Sequence, residues 1–295
     1  MPRICLNILL GIPGSGKTTY CQQIVALPCR KFEVVHVCYD SYIRIDVNYD
    51  TFRDTKGFYK LQRQKLISYI EMIILSLKEN DLPKLKGVVE RWRKEFEREL
   101  NISADAMVSD VVFLIDDNNY YRSMRTEWQK MASKLSTGYF ETYFDTALSI
   151  AVQRNRTRAQ PIAEQIIKQM WMRLEKPSGR LYHHEKDVIT VQDVVDYERV
   201  VDQIQFCFEH PREHSVVQKL VAEPMEQSKV HKIDIILRKI IAKKMIEAKD
   251  SMSKEEVQSF AKILQKRKKS TLEQIRKCEQ NITEEFIHSV VEELF

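Results

Sequence analysis

Apolar residues in this chain fall into two patterns: short unbroken runs, and longer stretches in which they recur every three or four positions. RICLNILL (3–10), VVHVCYD (34–40), DVVFLIDD (110–117), GYFETYFD (138–145) and DVITV (187–191) are the runs. Their length and branched side chains predict five buried strands. The three-and-four spacing predicts helices from Lys17 to about Ala26, over 58–79 and 84–107, and from about Tyr121 to Leu135. Further helices are predicted up to Gln153, and from Ile162 to Leu174 before Pro177. The pair over 58–107 is too long for an ordinary crossover, so residues 56–107 read as a helical insertion. Strands alternating with helices predict a mostly parallel sheet covered on both faces. From about 195 only helical patterning remains; over 229–249 it places Ile233, Leu237, Ile240 and Ile241 on one face. Pro211 and Pro224 fall in the connecting stretch, and no internal repeat is present. The expected organisation is an α/β domain over 1–194 followed by a helical domain over 195–295.

One motif decides the class of the first domain. GIPGSGKT (11–18) matches G-x-x-x-x-G-K-[ST] throughout, after a strand and before a helix. Its glycines allow a tight turn that aims backbone N–H groups at phosphate oxygens, and the helix N-terminus favours negative charge. Gly11, Ile12, Pro13, Gly14, Ser15, Gly16, Lys17, Thr18 and Thr19 are therefore the expected ATP-binding residues. Lys17 bridges the terminal phosphates, and Thr18 offers its hydroxyl to Mg²⁺. The fold class becomes a P-loop kinase-like parallel sheet flanked by helices, with a C-terminal all-helical domain. A GTPase would carry a base-reading N-K-x-D further on, and the chain has none; its length argues against a motor.

Two further features point to phosphoryl transfer. Asp40 ends the second strand, where a carboxylate faces the γ-phosphate from the acceptor side and can take a hydroxyl proton; capping a following helix is the other role open to it. Arg44 lies one turn further on if a helix begins there. RNRTR (154–158) places Arg154 and Arg158 on one helix face or in one lid loop, over about 154–161. Planar guanidinium groups suit phosphate clamping, although a solvated basic turn has the same composition.

Charge and cysteine content narrow the setting. Residues 229–277 hold 15 Lys and Arg against 6 Asp and Glu, a local +9 that leaves −4 for the rest of a chain of net +5. A basic block on a mildly acidic body suggests a polyanionic partner, Lys266, Arg267, Lys268 and Lys269 being its densest part; a solvated helical face is the alternative. No run of about 18 apolar residues predicts a membrane span. The N-terminal strand lacks a signal-peptide cleavage pattern. Six scattered cysteines without C-x-x-C spacing predict reduced thiols in the cytoplasm and no structural metal.

GIPGSGKT, the Asp40 strand end, LIDDNNYYRSMR (114–125), RNRTR and MRLEKP (172–177) together resemble the L-seryl-tRNA(Sec) kinase family, also called O-phosphoseryl-tRNA(Sec) kinase. The likeness spans roughly 4–191. The P-loop is generic, whereas DDNNYYRSMR and RLEKP are specific; the remainder agrees only in being helical and basic. The resemblance implies ATP- and Mg²⁺-dependent phosphorylation of the serine on selenocysteine tRNA, a step of selenocysteine biosynthesis. It makes Asp40 the base, assigns Asp116 to Mg²⁺ through water, and lines the seryl pocket with Tyr120, Tyr121 and Met124. Arg154 and Arg158 match the lid pair. Arg44 sits one residue beyond the archaeal Asp-x-x-Arg spacing, and the 56–107 insertion is a departure. The C-terminal helices would read tRNA by shape, and assembly as a homodimer is compatible with the sequence. Three rivals share the P-loop: an Elongator-associated KTI-type ATPase acting in tRNA modification, a small-molecule or polynucleotide kinase, and an inactive tRNA-binding module. The double acid and double tyrosine of 116–121 separate the first, and the intact Lys17, Thr18, Asp40 and Asp116 the last.

Overall fold

The computed structural model describes residues 1–43, 57–178, 187–192, 194–213 and 229–277. Five strands, β1 (Ile4–Leu10), β2 (Phe32–Cys38), β3 (Asp110–Asp116), β4 (Gly138–Phe144) and β5 (Val188–Val191), form one parallel sheet in the order β2-β3-β1-β4-β5. β1 and β4 are buried at every position and β3 at all but its first, because strands inside a parallel sheet are covered on both faces. That double burial is why they read as continuous apolar runs. Asn7, Glu141 and Thr142 are polar interruptions within them: Asn7 Nδ2 donates to the Tyr20 hydroxyl (2.7 Å), Thr142 Oγ1 to Asn7 Oδ1 (2.9 Å), and the Tyr139 hydroxyl to Glu141 Oε1 (2.7 Å).

Helices α1 (Lys17–Ala26), α2 (Tyr39–Tyr42), α3 (Phe58–Lys78), α4 (Leu82–Phe96) and α5 (Arg122–Leu135) are joined by α6 (Leu148–Arg156), α7 (Glu164–Arg173) and α8 (Tyr197–Glu209). α3, α4 and α5 pack with Leu6, Ile8, Val35, Val37, Phe113 and Ile115 on one face. α1 and α8 cover the other through Tyr20, Ile24, Val200, Ile204 and Phe208. The insertion is thus a built part of the core. Leu66, Ile70, Ile73, Ile74 and Leu77 of α3 are fully buried, each contributing about 1.5–3 kcal/mol on transfer from water. By comparison, an exposed pair such as Lys65–Glu95 contributes about 0–1 kcal/mol.

Several expected boundaries move. The helix expected over 84–107 stops at Phe96 because Glu97 turns left-handed (φ 50°), and only a 3₁₀ turn, Ala104–Met107, follows. Asp81 caps α4, accepting the Lys84 N–H at 2.8 Å. α6 runs through Arg154 to Arg156, which shortens the expected lid loop. α8 lies against β4 and β1, closely enough that a Cβ on Gly138 would stand 2.5 Å from the Cys207 carbonyl. The first compact unit accordingly runs from Met1 to Val221, not to 194, and the second from Ala222 to Phe295. α8 carries helical patterning like the residues after it, so periodicity alone placed it in the wrong unit.

In the second unit α9 (Lys229–Ser251) packs against α10 (Lys254–Lys277), with Ile233, Leu237, Ile241, Leu264 and Leu272 buried. No helix among the described residues is long and apolar enough to cross a membrane.

Candidate active site

The parallel sheet gathers its chemistry at one end. Gly11–Gly16 follow β1, the central strand, and Gly16 (φ 103°) leads directly into α1. β2 and β3 run in register with Cys38 opposite Asp116, which sets Asp40 and Asp116 beside the loop. A cleft of about 290 Å³ opens there. It is lined by Pro13, Gly14, Gly16, Lys17, Thr18 and Thr19 of the loop and α1, by the acids Asp40, Asp116 and Asp117 with Asn118, and by Arg154, Arg158 and Ile162. Gly14 (φ 84°) and Gly16 (φ 103°) give the loop the left-handed backbone of a tight turn ahead of a helix N-terminus, an arrangement that suits a phosphate group.

Lys17 is buried, and its Nζ donates to the carbonyls of Gly11 (2.9 Å) and Ile12 (3.0 Å). Burial lowers its pKa, opposed by Asp116, Asp40 and Asp117. Thr18 Oγ1 donates to Asp116 Oδ2 at 2.8 Å, and His36 Nε2 lies 3.1 Å from the same oxygen. Burial pushes the Asp116 carboxyl up, but the His36 hydrogen bond and the Lys17 ammonium outweigh it and hold the group below the usual aspartate range. Two hard oxygens, the Thr18 hydroxyl and the Asp116 carboxylate, therefore adjoin the phosphate loop, the donor type Mg²⁺ takes. Cys21 also lies in reach, the Cys21, His36 and Asp116 donor atoms falling within 4.8 Å of one another. Burial raises that thiol well above its ordinary value, so it stays protonated and is no ligand for a hard cation.

Asp40 stands across the cleft. It lies inside the four-residue α2, whose N-cap is Cys38, so the capping alternative does not apply. Surrounding protein and then the Asp117 charge raise its pKa; its side chain is 75% exposed, so water keeps that rise modest. Arg158 comes within 3.8 Å of its Oδ2. Arg154 sits in the last turn of α6, Arg158 in the loop beyond, and both reach the cleft.

Gly14 shows how tightly loop and lid-side helix fit. At φ 84°, a Cβ there would stand 2.2 Å from the Ala151 carbonyl oxygen of α6. Gly14→Ala is expected to displace the loop or α6 and weaken nucleotide binding by roughly tenfold or more, corresponding to the 1–3 kcal/mol of a strained backbone position. Titration with a fluorescent ADP measures it; wild-type affinity would show that the loop relaxes freely.

Other expected residues land elsewhere. Tyr120 is buried, its ring 4.3 Å from that of Tyr121, and both pack with Met124 around Leu10, Ile12, Ile167 and Met170. They border the P-loop from the core side and do not line the cleft. The N-cap of α5 is Tyr121, without a side-chain bond, so the polar run Asp117–Asn119 ahead of it does not cap the helix. Instead Asp117 Oδ1 accepts the Asn118 N–H at 2.7 Å, and the Asn118 carbonyl accepts from the Gly11 N–H at 3.1 Å. Arg44 lies outside the described residues. On α10, Lys266 and Arg267 are exposed and Lys269 half-buried, but Lys268 is buried with its Nζ 2.9 Å from Asp234 Oδ1. An ammonium used inside the helix pair is not available to an RNA phosphate, and Lys268 leaves the expected set. Sequence reasoning passed over His36, Ile162, Tyr59 and Arg63. His36 had a signal, a polar residue between Val35 and Val37; the others depend on neighbours distant in sequence.

A family model described as Chromatin associated protein KTI12 matches residues 1–290. The L-seryl-tRNA(Sec) kinase of Mus musculus is 25% identical over 315 residues, covering 93% of this chain and 85% of the relative. The L-seryl-tRNA(Sec) kinase of Methanococcus maripaludis is 27% identical over 198 residues, covering 64% and 74%. Among solved structures, Chaetomium thermophilum Kti12 in complex with ADP-AlF3 superposes with a TM-score of 0.44 at 16% identity, covering 69% of this chain and 98% of that one.

Proposed function

This chain belongs to the KTI12 family, and on that scaffold we propose that it transfers the γ-phosphoryl group of ATP to the serine hydroxyl of Ser-tRNA(Sec). One observation favours a kinase over a switch: the Asp40 carboxylate shares the cleft with Lys17 and the Thr18–Asp116 pair. The acceptor is suggested by relatives named L-seryl-tRNA(Sec) kinase in a mammal and an archaeon.

In this reading the P-loop N–H groups and Lys17 hold the phosphates of ATP. The serine hydroxyl attacks the γ-phosphorus, its proton passes to Asp40, and the bond to the ADP oxygen breaks. Thr18 and Asp116 would hold Mg²⁺, which when bound neutralises phosphate charge. Arg154 and Arg158 close over the phosphates and keep water out, which matters because water is the competing acceptor. Tyr120, Tyr121 and Met124 brace the P-loop side of the acceptor region. The helical second unit binds tRNA through Lys266, Arg267 and Lys269, and the substrate places the reaction in the cytoplasm.

A second reading, a regulatory ATPase, is favoured by the span of the KTI12 match. ATP consumption separates the two. A kinase consumes ATP in step with serylated tRNA and ignores the uncharged form; turnover driven equally by both would favour the ATPase.

The RNA surface makes its own prediction. Lys266→Glu with Arg267→Glu is expected to weaken tRNA binding and reduce the slope of log K against log salt by roughly one for each phosphate no longer neutralised. Filter binding across salt concentrations measures it, and an unchanged slope would return these residues to an ordinary solvated face.

A further inference from the structure

The acids of the cleft lean on a cation that comes from neither the P-loop nor its strands. Arg63, on the inserted helix α3, is 5% exposed and fills the space behind the ends of β2 and β3. Its guanidinium carbon lies 5.3 Å from the centre of the Tyr39 ring, and Tyr39 is the residue before Asp40. Its Nη1 donates to Oδ2 of Asp117, the residue after Asp116. Tyr59, one turn earlier on α3, donates its hydroxyl to the other Asp117 oxygen at 3.1 Å. That oxygen also takes the Asn118 N–H, and the Asn118 carbonyl takes the Gly11 N–H. A continuous chain of bonded groups thus runs from α3 through Asp117 into the phosphate loop, and a branch touches the neighbour of Asp40.

A buried Arg–Asp pair is a poor way to gain stability, because desolvation consumes most of the Coulomb attraction. Its orientational effect is another matter, since two fork-like groups with further bonds leave a carboxylate little freedom. We propose that Arg63 and Tyr59 are positioning residues of the phosphoryl-transfer site. The insertion is the brace that fixes the turn carrying Asp116 and backs the segment carrying Asp40. This deepens the kinase reading, and only the transfer measurement below depends on it.

The test uses the full chain with Tyr59→Phe and with the double variant Arg63→Met/Asp117→Asn, which removes both buried charges and leaves neither alone. Three quantities are read: melting temperature, the Mg²⁺ concentration giving half-maximal binding of a fluorescent ADP, and kcat and KM for transfer to Ser-tRNA(Sec). The double variant is expected to melt cooperatively and to need about 10-fold more Mg²⁺, the size of effect seen when a metal site loses its outer support. Its kcat should fall about 100-fold while KM for ATP changes by less than about threefold, as expected for a misplaced rather than an absent group. Tyr59→Phe should shift the Mg²⁺ requirement about threefold in the same direction, and it decides the matter if the double variant does not fold. Wild-type Mg²⁺ dependence in the folded variants would overturn the proposal. A wild-type chain that transfers nothing, with the Mg²⁺ shift still present, would defeat the kinase reading and leave the brace standing.

Discussion

Lys17→Ala removes phosphoryl transfer, lowering kcat by roughly 10³-fold, about 4 kcal/mol of transition-state stabilisation. The expectation rests on what the side chain does in the fold. Its ammonium is buried within the loop, bonded to two loop carbonyls and facing three carboxylates across the cleft. That placement keeps a positive charge where the terminal phosphates gather negative charge, and no other loop side chain supplies one. Alanine leaves two carbonyls that water can satisfy, so the fold should persist. Binding of Ser-tRNA(Sec) should change by less than about threefold, because the proposed RNA-binding residues lie in a different compact unit. Single-turnover transfer and filter binding on one preparation check both halves; equal loss of the two would show that nucleotide and RNA sites are not separate.

Asp40→Asn is the second large effect. A positioned general base contributes about 10²–10⁴-fold, and asparagine keeps the shape while removing the proton acceptor. Turnover should fall within that range while ATP affinity stays within about threefold, since the role proposed for Asp40 is toward the acceptor hydroxyl and not the nucleotide. The pH dependence follows from the direction of the Asp40 shift. Partial desolvation by the surrounding protein and the neighbouring Asp117 charge disfavour the anion, so its pKa lies above the ordinary aspartate value, by an amount that the exposure of the side chain keeps modest. The base works as the anion. Turnover should therefore rise with pH through that raised pKa and then level, and the variant should lack this limb. Normal turnover in Asp40→Asn would remove it as the base.

How much of this was legible in the chain depends on the distance over which each residue is specified. Gly11–Thr18 announce their geometry locally, because turn, helix start and phosphate chemistry all reside in eight consecutive positions. The five strands were legible because burial on both faces leaves an unbroken apolar run. Arg63 and Tyr59 were not legible: on α3 they look like ordinary polar positions, and only the folded chain brings them to Asp117, 54 and 58 residues on. Lys268 failed for the same reason. It looks identical to Lys266 and Lys269 in sequence, yet its neighbour is Asp234, on another helix. The α8 boundary failed because amphipathic spacing says that a face is buried and not what buries it.

The most direct test of the central claim is chemical. γ-Labelled ATP is incubated with the chain and either Ser-tRNA(Sec) or Ser-tRNA(Ser), the aminoacyl ester is hydrolysed, and the released amino acid is analysed. Transfer to the seryl hydroxyl predicts labelled phosphoserine from the first tRNA and none from the second. Label released only as inorganic phosphate, with no phosphoserine from either tRNA, would contradict it.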